Sequence, residues 1–137
     1  MFKILGIDHI VLRTKNVPVM LAFYSDVLGS PLERQLTDFG LFQLRAGQSL
    51  IDLVDVDGPI GKMGGEGPGK TGRNVDHFCL RIDPFDPEKI FRHLEDFNVP
   101  HGEAEERYGA EGDGLSIYIT DPDGNTVELK GPPIDRQ

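Results

Sequence analysis

The sequence predicts an α+β protein made of two tandem modules, each running strand, helix, then about three strands. Three observations carry this. The phrase "GIDHIVLRTK" near the start returns from Asn74 as "NVDHFCLRID", sharing Asp-His-x-x-Leu-Arg and placing His9 and His77 68 residues apart. Each phrase precedes a stretch with helical spacing and matched start and stop signals. Each half then closes on a strand with a carboxylate between two apolar residues, Ile51-Asp52-Leu53 and Val127-Glu128-Leu129.

Residues 4–13, "ILGIDHIVLR", are β-branched and apolar enough for the first strand. In "NVPVMLAFYSDVLGSP", Asn16 serves as helix cap and Pro18 fits the first turn. Met20, Leu21, Phe23, Tyr24, Val27 and Leu28 recur at helical spacing; Gly29 and Pro31 end the run. "GLFQLRAGQSLIDLVDV" supplies strands. The second copy repeats the plan. "VDHFCLRI" is the strand, and "DPEKIFRHLEDFNVP" the helix, capped by Asp86, with Pro87 in its first turn and Ile90, Phe91, Leu94 and Phe97 inward. Asn98 and Pro100 stand 69 residues after Gly29 and Pro31. "GLSIYITDPDGNTVELK" closes the copy around an Asp-Pro-Asp-Gly turn at 121–124, where Pro presets φ and Gly permits a positive φ. The carboxylates lie 76 residues apart, so the offset grows as small loop insertions in a duplication would make it. The modules span 4–57 and 74–131, joined by a Gly-rich linker, 58–73, expected to be mobile and a candidate lid. At about 60 residues neither builds a good core alone, so 1–137 reads as one domain.

Composition narrows the function classes. There are 23 acidic and 14 basic residues, a net charge of −9. That charge opposes binding to nucleic acid or to anionic membranes. No apolar run approaches the ~20 residues of a membrane span, and no secretion signal is seen. The one cysteine, Cys79, excludes an internal disulfide and fits a reducing, cytoplasmic setting.

Strand alternation puts His9, Val11 and Arg13 on one face and Ile10 and Leu12 on the other, toward the helix. By the same rule His77, Asp52 and Glu128 point away from their helices. A lone strand histidine is ordinarily structural. Two at matched positions, each with a matched carboxylate, make a donor set for a divalent ion such as Zn, Mn, Fe, Ni or Co. Four such groups gathered without a cation would be costly to bury. His93 and His101 have no counterpart and are expected to be solvated. "GGEGPGKT" at 64–71 matches a phosphate loop in letters, but a strand follows it where that motif needs a helix. Tyr118 and Ser116 alternate onto the histidine face. Arg107, in the Gly-rich "RYGAEGDG", is a candidate for a substrate carboxylate. Cys79 reads as a small filler.

The duplication, with its "DHIVL" and "DHFCL" openings and "DPDGNTVEL" ending, resembles the vicinal oxygen chelate superfamily, which holds glyoxalase I, extradiol dioxygenases, fosfomycin-resistance enzymes and bleomycin-resistance proteins. The resemblance covers about 4–131. It implies paired βαβββ modules forming an open barrel-like cup around a divalent metal, usually in a homodimer. It implies ligands at His9, His77 and Glu128, with Asp52 at a fourth position where glyoxalase I commonly has Glu. The reading drawn from it is a metal-dependent lyase or isomerase acting on a small substrate with vicinal oxygens. Glu128 would be ligand and base, Asp52 its assistant, and Tyr118, Arg107 and Ser116 the lining. The alternatives are an extradiol-type dioxygenase, a fosfomycin-type thiol transferase, or a non-catalytic drug-binding protein.

Overall fold

The computed structural model describes residues 1–135. The chain divides into two compact units, Met1–Asn74 and Val75–Gln137. Each has the predicted strand–helix–three-strand order, so the protein is α+β with two four-stranded sheets.

In the first unit β1 (His9–Thr14) leads into α1 (Val17–Ala22), and β2 (Leu32–Leu36), β3 (Leu41–Ala46) and β4 (Ser49–Asp55) follow. The sheet order is β1-β4-β3-β2, with β1 parallel to β4. The first strand starts later than its composition suggests. β4 begins at Ser49, and Ser49 Oγ and Leu50 N donate to the carbonyls of Ile7 and Asp8 just before β1. Phe2, Ile4, Leu5 and Ile7 are left exposed. Asn16 caps α1 by accepting from Val19 N. After Ala22 the helix widens to a π turn, Phe23–Val27, which lets the adjacent Phe23 and Tyr24 both bury, edge to face at 5.1 Å. Leu12, Met20, Leu44, Ile51 and Leu53 complete this core.

The second unit holds β5 (His77–Arg81), α3 (Pro87–Asp96), β6 (Glu105–Gly109), β7 (Gly112–Thr120) and β8 (Thr126–Pro133), in the order β5-β8-β7-β6. Asp86 caps α3. Asn98 adopts φ 57°, the left-handed stop that Gly29 makes at φ 70° after the first helix. Of the helix residues expected inside, Leu94 is buried and Phe97, at the C-cap, is 45% exposed. Leu94, Ile117, Ile119, Val127 and Leu129 form the core. The 121–124 turn closes as expected, with Gly124 at φ 88° and the Asp121 carboxylate accepting from Asp123 N and Asn125 N. Residues 107–114, the Gly-rich stretch that holds Arg107, form the β6–β7 hairpin.

The segment after β4 is tied down over part of its length. A short helix, α2 (Pro59–Lys62), begins it. The Arg13 guanidinium donates to the carbonyls of Gly61, Gly65 and Glu66, at 3.3, 3.0 and 2.8 Å. A Cβ on Gly64 would lie 2.5 Å from that guanidinium, so the glycine makes the approach possible. The Asn74 amide then brackets the Arg13 backbone, accepting from its N and donating to its O. No helix follows the "GGEGPGKT" letters before Pro87.

His101 is not solvated. Its ring stacks on Phe91 at 4.5 Å, Nδ1 faces the Gly102 carbonyl and Nε2 faces the Glu95 carboxylate. Both partners are acceptors, so only the imidazolium satisfies both. The Gly102 carbonyl, then Glu95, raise the His101 pKa. The stabilisation is therefore complete below the ordinary histidine value near 6.5 and is lost as pH rises through the folded value. The melting-temperature difference between the native protein and His101→Gln is expected to be larger at pH 5.5 than at pH 8.5; an equal difference would remove the imidazolium from this account.

Candidate functional site

In the second unit the parallel register sets Cys79 beside Glu128 and His77 beside Thr126. Glu128 is buried and Ser116 fully so. Ser116 Oγ donates to Glu128 Oε2 at 2.6 Å, and the Tyr118 hydroxyl acts on the same carboxylate to lower its pKa. Burial alone would raise the Glu128 pKa; the two hydroxyls and the charges of His77 and Lys130 outweigh it, and the carboxyl sits below its ordinary value. Arg107 lies over the Tyr118 ring at 5.8 Å and is paired with Glu105 at 2.7 Å. Burial and Glu128 push the Cys79 thiol up to about 11, so it is no nucleophile near neutral pH.

The first unit repeats this arrangement with other side chains. Val11 lies beside Asp52, and His9 beside Leu50. Asp52 is 4% exposed, and both its oxygens accept from Gln43 Nε2, at 3.3 and 3.2 Å. Gln43 occupies the place of Tyr118 and was not singled out in the sequence, because a half-buried strand glutamine carries no motif. Its register opposite Asp52 was the available signal.

The repeated Asp-His pair now has a physical meaning. Asp8 accepts from His9 Nδ1 at 2.8 Å, and Asp76 accepts from His77 Nδ1 at 2.7 Å. With Nδ1 turned to its aspartate, each ring presents its Nε2 outward. His77 Nε2 faces Glu128 Oε1 at 3.3 Å. A proton or a cation must lie between them. Two donors ~2.1 Å from one ion stand about 3.0 Å apart in octahedral and about 3.4 Å apart in tetrahedral geometry, so the observed separation suits a divalent ion. Within each unit the expected histidine and carboxylate thus share a face. Among the described residues no group of three or more His, Cys, Asp or Glu gathers to hold a metal.

A family model for the Glyoxalase/Bleomycin resistance protein/Dioxygenase superfamily matches residues 6–129. The chain belongs to this superfamily. The "Virulence protein STM3117" of Salmonella typhimurium is 27% identical over 128 residues, covering 90% of this chain and 81% of that protein. An integron cassette protein from the mobile metagenome of V. cholerae superposes with a TM-score of 0.76 at 28% identity, over 96% of this chain and 98% of its own. A lactoylglutathione lyase from Agrobacterium tumefaciens gives 0.66 at 23% identity, over 94% and 95%, a likeness of fold. Members of the superfamily commonly use a divalent metal.

The hydrogen bond to Asp8 is the largest cause raising the His9 pKa, followed by the charge of Asp52. In Asp8→Asn the His9 ring, followed by NMR titration of the metal-free protein, is expected to titrate at lower pH. An unmoved curve would show that Asp8 does not hold the ring.

Proposed function

We propose that the protein is a metal-dependent lyase or isomerase of the glyoxalase type, acting on a small molecule with oxygens on neighbouring carbons. The ligands are His9, His77 and Glu128, with Asp52 the matched fourth carboxylate. The observation that carries the reading is the ionised, buried Glu128 opposite the outward Nε2 of His77. A bound divalent ion supplies charge stabilisation for an enediolate-like state. Glu128 takes and returns the substrate's carbon-bound proton, its Oε2 steadied by the Ser116 hydroxyl. Arg107, above Tyr118, is placed to pair with a substrate carboxylate once it leaves Glu105.

The test begins with the metal. Elemental analysis is expected to find one divalent ion per chain, with occupancy falling strongly in His77→Ala; unchanged content in that variant would sink the ligand assignment. Turnover is then expected to exchange a carbon-bound substrate hydrogen with deuterated water, without oxygen uptake, and to be nearly abolished by Glu128→Gln. Stoichiometric oxygen uptake with a catechol would put the extradiol-type reading first, and addition of a thiol to an antibiotic the transferase reading. Tight drug binding by metal-free protein without turnover would favour a binding protein.

We also propose a homodimer. Phe2, Ile4, Leu5 and Ile7 are 79–93% exposed and adjoin the open edge of β1, an apolar strip that a second copy would cover. Sedimentation at micromolar concentration is expected to give twice 15.2 kDa; a monomer would refute this.

A further inference from the structure

The Arg13 guanidinium is satisfied by backbone: it donates to the carbonyls of Gly61, Gly65 and Glu66. Strand alternation sends this side chain out on the face of His9 and Val11, while Leu12 and Thr14, both 0% exposed, pack on the other. The carbonyls it grips are therefore drawn over the His9 face, at the end of β1. Past them, the Asn74 amide accepts from Arg13 N and donates to Arg13 O. One residue thus fastens both ends of the stretch 67–73, its side chain one end and its backbone the other.

Backbone bonding differs on the two sides of the Arg13 grip. Before it, the amides of Gly58, Lys62, Met63, Gly64 and Gly65 each donate to a carbonyl between Asp55 and Lys62. Within 67–73, Gly69 and Gly72 donate to each other's carbonyls at 2.9 and 3.3 Å, closing a turn with Lys70 and Thr71 at its exposed tip. Among the described residues no backbone bond joins this turn to a strand.

Chain length sets where the tip can go. From Glu66 to Lys70 is four residues, about 13 Å extended, and from Asn74 back to Thr71 is three, about 10 Å. Val11 lies two residues along β1 from Arg13, about 7 Å away on the same face. Both tethers span that distance.

We propose that 67–73 is a flap: a preformed turn, clasped at both ends by Arg13, that folds onto the His9 face of its own module and carries the Lys70 ammonium there. The moving part is the seven residues after the clasp, not the whole of 58–73. Closed, it excludes water from that face and adds a cation to one that holds a carboxylate, Asp52.

Two measurements on metal-free protein test the flap, so their outcome is independent of the metal reading. Val11→Cys/Thr71→Cys, made in a Cys79→Ser background, is expected to form an intramolecular disulfide on mild oxidation, read by intact mass and non-reducing electrophoresis. The link needs Cα atoms within about 7 Å, so the tip must lie on this face to make it. Hydrogen exchange is expected to be at least tenfold slower at 62–65 than at Lys70, Thr71 and Arg73. Arg13→Met keeps the aliphatic stem and removes the donors; amides 62–65 are then expected to exchange tenfold or more faster, while those of β1 and β4 keep their native rates. Gly64→Ala sets a Cβ 2.5 Å from the guanidinium and is expected to have the same effect with Arg13 intact. A disulfide that fails to form overturns the flap. Exchange at 62–65 that is unchanged in both variants overturns the clasp.

Discussion

The parallel pairing of the first and last strand of each module is the constraint on which the rest depends. β1 lies against β4 with His9 opposite Leu50, and β5 against β8 with His77 opposite Thr126. A parallel pair cannot be closed by a tight turn, so the chain must cross over, and it does so through a helix and two intervening strands. The helix covers one face of the sheet, and the histidine and carboxylate of each module lie on the other. The register then fixes what meets there. The carboxylate stands two residues beyond the histidine's partner on the same face, close enough to interact diagonally. A slip of one residue would turn Asp52 and Glu128 into the core and Ile51, Leu53, Val127 and Leu129 out of it. The buried apolar alternation therefore holds the polar site in register, and stability and function share one specification.

Duplicating this geometry did not duplicate its electrostatics. Taking a carboxylate out of water costs several kcal/mol, and a hydrogen bond to a charged group returns about 1.5–3 kcal/mol. Glu128 recovers its cost from the Ser116 and Tyr118 hydroxyls and the nearby positive charges, and stays ionised while facing His77. Asp52 has a single amide bridging both oxygens. One module thus presents a carboxylate ready to act on a neighbour, and the other presents one already engaged.

The module plan was legible in the sequence because its signals are local. Caps, stops and alternation are written in residues near their effects, as Asn16, Asp86 and Asn98 show. The pairing of His9 with Asp52, and of His77 with Glu128, followed from the repeat. What was not legible depends on contacts between distant residues. Residues 4–8 have strand composition, but the start of β4 decides that they lie outside β1. His101 reads as a loop histidine until Phe91 and Glu95 are set against it. The grip of Arg13 on residues 61–66 crosses about fifty positions, and glycine content alone suggested mobility there. Gln43 has significance only through its cross-strand partners.

The two aspartates that precede the histidines show how a short phrase comes to be written twice. Within a strand, neighbouring side chains point to opposite faces, so an aspartate inside β1 or β5 could not reach the ring beside it. Both strands begin at the histidine, which leaves Asp8 and Asp76 outside the alternation and free to fold back onto Nδ1. Their carboxylates are 89% and 97% exposed, so each bond is made in water and adds little to stability. What such a bond does change is which ring nitrogen carries the proton, and hence which one is turned away from the aspartate. A contact of small energetic value can still set the direction of a donor, and direction is what the proposed function asks of each histidine.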